Sequence, residues 1–122
     1  HFSFCLFATP TKREGNTLST QHAVAVRPGK IDRSPTGTAV SARMAILSAR
    51  DEMGPDDQLI ATSVIGSTFT GKIRKRIKLE ATDAILPEIA GRAWITGTHQ
   101  HTLAPDDPWP EGYRLSDTWP GA

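Results

Sequence analysis

Asp32-Arg33-Ser34-Pro35-Thr36-Gly37-Thr38, running on into a small-residue stretch that ends near Arg50, is the part of the chain that decides the fold. Ser34 is a favourable N-cap, and Pro35 falls where a first-turn proline costs no helical hydrogen bond. The stretch therefore predicts a helix from about Pro35 to Arg50. Ala39, Ala42, Ala45 and Ala49 are small, and Val40, Met44, Ile46 and Leu47 are larger. Apolar character runs nearly all the way round, which predicts a helix buried on most sides with sheet packed closely about it. Gly37 lets another group approach the backbone. The amides of Gly37 and Thr38 leave the helix N-terminus, where an anion is favoured. Asp32, just upstream, can hold a cation. Together they make a seat for an amino-acid zwitterion, and the plainer reading is an ordinary helix cap.

Outward from this stretch, strands are expected on both sides. Residues 2–8 carry apolar residues on both faces and predict a well-buried strand. Thr9 to Gln21 is polar with Pro10, Gly15 and Asn16, a loop or loose hairpin. His22 to Val26 is a second strand, closed by the turn Arg27-Pro28-Gly29-Lys30. After the helix, Leu59 to Ile65 is strand-prone. Thr68 to Leu79 reads as a strand pair turning at Thr70-Gly71. Within it Ile73, Ile77 and Leu79 alternate with Lys72, Arg74, Arg76 and Lys78, so one face is wet. Ala84 to Ile89, with Pro87, reads as a connection, and Gly91 to His101 as a further strand. From Ala104 to Ala122 the recurrent prolines predict an irregular tail.

The bulk numbers limit the function classes. At 122 residues the chain is one domain with a modest core. Its net charge of +1, from 14 basic and 13 acidic residues, gives no electrostatic case for nucleic acid. The Lys72 to Lys78 cluster lacks interleaved aromatics and reads as a solvated strand face. No apolar run nears the about 18–20 residues of a membrane span, and no signal-peptide pattern is present. The single cysteine cannot form an internal disulfide, so a reducing cytoplasm is the expected setting. Cys5, flanked by Phe4 and Leu6, reads as a buried inert thiol. His99 and His101 would share a strand face without a third metal ligand. Trp94, Trp109 and Trp119 read as packing residues. The apolar opening His1-Phe2-Ser3-Phe4-Cys5-Leu6-Phe7 predicts a piece of something longer.

The quoted loop and the Ser-Ala-Arg that follows at 41–43 resemble the proline racemase family, which includes hydroxyproline epimerases and trans-3-hydroxy-L-proline dehydratases. Further matching stretches are Pro28-Gly29-Lys30-Ile31, and Ser63-Val64-Ile65-Gly66-Ser67 with Phe69 and Gly71. Ile89 to Gly97 and Asp106 to Tyr113 complete the match. The resemblance implies an α/β (α+β) fold of the diaminopimelate epimerase-like, proline racemase-like type. In it a mixed, mostly antiparallel sheet wraps a central buried helix, two such domains enclosing the active site. It implies that residues 1–122 are the C-terminal domain, and that the N-terminal domain with the other catalytic cysteine is missing.

By the same resemblance Asp32 holds the ring nitrogen of a proline or hydroxyproline, the Gly37 and Thr38 amides hold its carboxylate, and Thr36 faces the α- and β-carbons. Thr36 stands where racemases and epimerases carry their second cysteine. An alcohol cannot serve as a thiolate-like base, whereas a cysteine ionises near ~8.5 and can be tuned lower. The resemblance at this position is to the dehydratases, which form Δ1-pyrroline-2-carboxylate from trans-3-hydroxy-L-proline without metal or organic cofactor. The alternatives are a proline racemase or 4-hydroxyproline epimerase, and a non-catalytic amino-acid-binding fragment. Ala39 stands where a glycine is usual. This chain alone is expected to be inactive and, with apolar surface exposed, to self-associate, a homodimer being one form.

Overall fold

The computed structural model describes residues 3–113. Within them lie strands β1 (Phe4–Ala8), β2 (Lys12–Glu14), β3 (Thr17–Val26) and β4 (Lys30–Ile31), then helix α1 (Gly37–Ala49). Strands β5 (Gln58–Thr62), β6 (Thr68–Leu79) and β7 (Thr82–Ala90) follow. The described strands form one sheet in the order β1-β3-β5-β6-β7, with β2 and β4 also paired to β3. Only β3 and β5 run parallel; the other pairings are antiparallel. The helix lies in the crossover between those two strands and packs on β6 and β7. This is the mixed, mostly antiparallel sheet around one helix that the sequence implies.

The core forms where the helix meets the sheet. Val40, Met44 and Leu47 are fully buried and sit four and three residues apart, one face of a helix. Leu18, Leu59, Ala61, Ile73 and Met53 meet them, with Phe69, Ile85 and Ile89 closing the sides. Each large side chain buried here contributes about 1.5–3 kcal/mol. Gly71 on β6 is buried, and only a glycine fits there, since a Cβ would lie 2.6 Å from the Met44 sulfur and 3.1 Å from Val40 Cγ1.

Several expectations change. The helix is buried on one face rather than on most sides: Ala42, Ile46 and Ala49 are exposed. Large residues set the buried face, and alanines on the outer face add apolar character without demanding cover. Of the two readings of Thr9 to Gln21, loop or loose hairpin, the hairpin holds: β2 and the start of β3 pair antiparallel across Gly15, whose φ is +57°. Residues 68–79 form one continuous strand, since Gly71 serves packing and not a turn. The expected connection at Ala84 to Ile89 belongs to β7, and the sheet accommodates Pro87 opposite Ile73, just before a register shift between Ile73 and Lys75. Gly91 to His101 forms no strand; those residues are exposed and irregular.

β1 is exposed on both faces, with Phe4 at 54% and Phe7 at 63%, because it lies at the sheet edge with only β3 beside it. Cys5 is therefore exposed as well, not buried. Trp94 and Trp109 are exposed, Trp94 carrying the Arg92 guanidinium over its ring at 5.1 Å, and Trp119 lies outside the described residues. The basic face of β6 is solvated as expected. Arg74 pairs with Glu88, Lys78 with Asp83 at 2.6 Å, and Arg76 with Asp51 at 3.6 Å. No helix among the described residues is long and apolar enough to cross a membrane.

Candidate functional site

The turn after β4 brings Asp32 to the head of α1, and the loop is built largely from its own side chains. Asp32 is tied to the sheet by its amide, which donates to the Val24 carbonyl at 2.9 Å. Its Oδ1 accepts the Ser34 amide at 2.9 Å, and its Oδ2 accepts the Thr36 hydroxyl at 2.5 Å. Ser34 Oγ in turn accepts the Thr36 amide at 3.1 Å. Donation by the Thr36 hydroxyl, followed by the Ser34 amide, holds the Asp32 carboxyl below the ordinary aspartate range. Asp32 is thus a carboxylate with lone pairs left for a further donor.

Ser34 is not the N-cap. The helix begins at Gly37, and the cap position is Thr36, which makes no side-chain capping hydrogen bond. Thr36 has φ +64°, a conformation rare for a β-branched residue and costing about 1–3 kcal/mol. The strained position is therefore Thr36 rather than Gly37, where the backbone does not require a glycine: an added Cβ at Gly37 would meet only Ile89 Cδ1, at 3.9 Å. Gly37 is half-buried and Thr38 exposed, and as first-turn residues their amides have no acceptor within the helix.

Thr36 is 9% exposed, and the Pro35 ring beside it is fully buried. A turn and a strand grip this loop from outside. Ser67 Oγ, at the β5–β6 turn, donates to the Arg33 carbonyl at 3.0 Å, and Ser67 is itself bonded to Ser63 Oγ at 2.7 Å. His22 on β3 places Nδ1 at 3.3 Å from the Pro35 carbonyl. Ser67 falls within a stretch quoted above for its family resemblance, though nothing there marks it as a tether. His22 gave no signal beyond being a polar residue in an apolar strand.

The structure thus brings Asp32, Thr36, Gly37 and Thr38 together at one helix head. The arrangement offers a carboxylate, a hydroxyl and outward-facing amides over a few ångströms of backbone, which suits a ligand with adjacent positive and negative charge. A neighbouring cleft of about 530 Å³ is lined by Phe7, Thr9, His22, Thr62, Ser63 and Val64 among others, and shares His22 with the loop but none of those four residues. His99 and His101 lie with ring centroids 6.4 Å apart. Among the described residues no group of three His, Cys, Asp or Glu is placed to hold a metal.

A single helix clasped by a mixed, mostly antiparallel sheet defines the class of fold. Residues 1–114 match the proline racemase family, and the chain belongs to that family. It is similar to a hydroxyproline epimerase from Agrobacterium vitis, whose crystal structure holds trans-4-hydroxy-L-proline. The two are 32% identical with a TM-score of 0.68, over 96% of this chain and 33% of that one. It is equally similar to a probable proline racemase from Agrobacterium radiobacter K84 with bound carbonate, again 32% identical with a TM-score of 0.68. The chain spans about a third of the length of each.

Proposed function

We propose that this chain is the C-terminal part of a hydro-lyase that dehydrates trans-3-hydroxy-L-proline to Δ1-pyrroline-2-carboxylate. The observation that carries the reading is Thr36, donating its hydroxyl to Asp32 at the place where an isomerase of this family carries a thiol. Asp32, ionised, receives the ring ammonium. The Gly37 and Thr38 amides receive the carboxylate, helped by the positive end of α1. Thr36 then faces the α- and β-carbons. Inversion at the α-carbon needs a base on each face, and a threonine hydroxyl cannot be the second. Elimination needs one base, supplied by a cysteine of the missing N-terminal domain; the 3-hydroxyl leaves as water on a proton relayed by the Thr36 hydroxyl from the ring ammonium at Asp32, and the enamine left behind tautomerises to Δ1-pyrroline-2-carboxylate.

A second reading keeps the protein among isomerases acting on proline or 4-hydroxyproline. The two similar structures favour it, since one is a hydroxyproline epimerase and the other a probable proline racemase. The full-length protein, incubated in D2O with trans-3-hydroxy-L-proline, trans-4-hydroxy-L-proline and L-proline, separates the two. A ketimine product from the first substrate supports the lyase. Epimer formation with deuterium at the α-carbon supports the isomerase and sinks the lyase.

A further inference from the structure

His22 is titratable, only 2% exposed, and takes no part in the chemistry set out above. Its Nδ1 lies 3.3 Å from the Pro35 carbonyl. A carbonyl can only accept, so Nδ1 carries the proton and Nε2 is the bare nitrogen. Nε2 has no hydrogen-bond partner. Burial above all disfavours a second proton on the ring, against the opposing pull of the Pro35 carbonyl and with a smaller contribution from the charge of Arg43 on α1.

The Pro35 carbonyl belongs to the peptide plane that joins Pro35 to Thr36, and the orientation of that plane is what φ of Thr36 measures. The other end of the same plane, the Thr36 amide, donates to Ser34 Oγ at 3.1 Å. The plane is therefore gripped at both ends, and the residue it feeds sits at φ +64°. A strained conformation persists only where its surroundings over-determine it. Ser34 belongs to the loop and moves with it. His22 is anchored on β3, between its pairings to β1 and β5, with Ala8 directly opposite.

We propose that His22 is a positioning residue: its Nδ1–H clamps the Pro35–Thr36 peptide plane and so holds the Thr36 hydroxyl against Asp32 and toward the reacting carbons. The inference rests on the hydroxyproline reading above. The Gly37 and Thr38 amides are fixed by the helix instead, so loss of the clamp disturbs the chemistry more than the binding of a carboxylate.

Two substitutions in the full-length protein test this. His22→Asn places an amide donor near the position of Nδ1–H, and His22→Leu fills the space without a donor. The expected result is a fall in kcat of about tenfold to a hundredfold for His22→Leu, with KM little changed. His22→Asn recovers most of it. An unchanged kcat in His22→Leu, or equal losses in both variants, overturns the proposal. Long-range ¹H–¹⁵N spectra of the unmodified protein give a test independent of folding in the variants. A proton on Nδ1 alone is expected at neutral pH, and a proton on Nε2 overturns the clamp. Should the unmodified protein turn over none of the three imino acids, the hydroxyproline reading fails by itself, while the tautomer still decides whether the clamp exists.

Discussion

Thr36 Oγ1 donates to Asp32 Oδ2 at 2.5 Å, across a loop whose other internal bonds run from the Ser34 amide to Asp32 and from the Thr36 amide to Ser34. The hydroxyl proton is thereby directed at the carboxylate, and the oxygen lone pairs remain for another donor. A thiol at the same place is larger, a weaker donor and a far stronger acid. In the function proposed above, the identity of residue 36 bears on which reaction the loop can support, while Asp32, Gly37 and Thr38 bear on what it can hold.

Replacing Thr36 probes that division. Thr36→Val keeps the β-branch and the strain of a positive φ but removes the hydroxyl. Dehydration of trans-3-hydroxy-L-proline by the full-length protein should fall by about a hundredfold or more. Thr36→Cys restores a titratable thiol and should introduce exchange of the α-proton with solvent, read as deuterium incorporation by mass spectrometry. Unchanged turnover in Thr36→Val would remove the hydroxyl from the mechanism.

Stability should fall in acid in two stages. His22 is held below the usual histidine range by burial, so the unfolded chain binds a proton there that the folded chain refuses. Its contribution is complete above the unfolded value of about 6.5 and is lost as pH drops below it. Asp32, held low by Thr36, and Asp57, held low by Arg13 and the Gly54 amide, act further down. Their contribution is present above the unfolded carboxylate value near ~3.9 and is lost as pH falls toward their folded values. Urea midpoints measured against pH should show both declines. His22→Leu should abolish the upper one, and Asp57→Asn should reduce the lower one.

What the sequence discloses follows from how local each feature is. The helix at 37–49 is legible because Val40, Met44 and Leu47 sit at helical spacing behind Pro35, and the loop because its bonds join residues two to four apart. β7 is not legible: Pro87 looks like a breaker until a register shift and a partner strand accommodate it. Gly71 looks like a turn because its reason for being glycine is Met44, far away in sequence. Ser34 looks like a cap, and only the fold shows its oxygen turned to Thr36. His22 reaches the loop from β3 and Ser67 from the β5–β6 turn, so their part depends on contacts that spacing cannot encode.

Gly71→Ala tests the closest approach in the core. The new Cβ would fall 2.6 Å from Met44 Sδ and 3.0 Å from its Cε, with Val40 Cγ1 at 3.1 Å. Met44 is flexible, but at 0% exposure it has no solvent to retreat to, and Val40 is equally enclosed. The helix must lift from β6 or adopt poorer rotamers, a cost of about 1–3 kcal/mol. Thermal unfolding should show a lowered midpoint. The same substitution at Gly29, where an added Cβ meets nothing within 4 Å, should leave it nearly unchanged.

The sheet edge carries the last expectation. Phe4, Phe7, Ile31, Val64 and Ile65 are between 54% and 65% exposed, on or beside β1, β4 and the β5–β6 turn. Exposed apolar side chains such as these gain by being covered, at about 25 cal/mol for each Å² removed from water. In the two-domain arrangement proposed for the full-length protein, the missing N-terminal domain would cover part of this surface. The 122-residue chain by itself should then self-associate, through pairing at β1 or through these exposed apolar side chains. Light scattering should give a mass above that of one chain, and Phe7→Ser with Ile65→Ser should bring it down. A monomer at high concentration would show that this surface is tolerated in water and needs no partner.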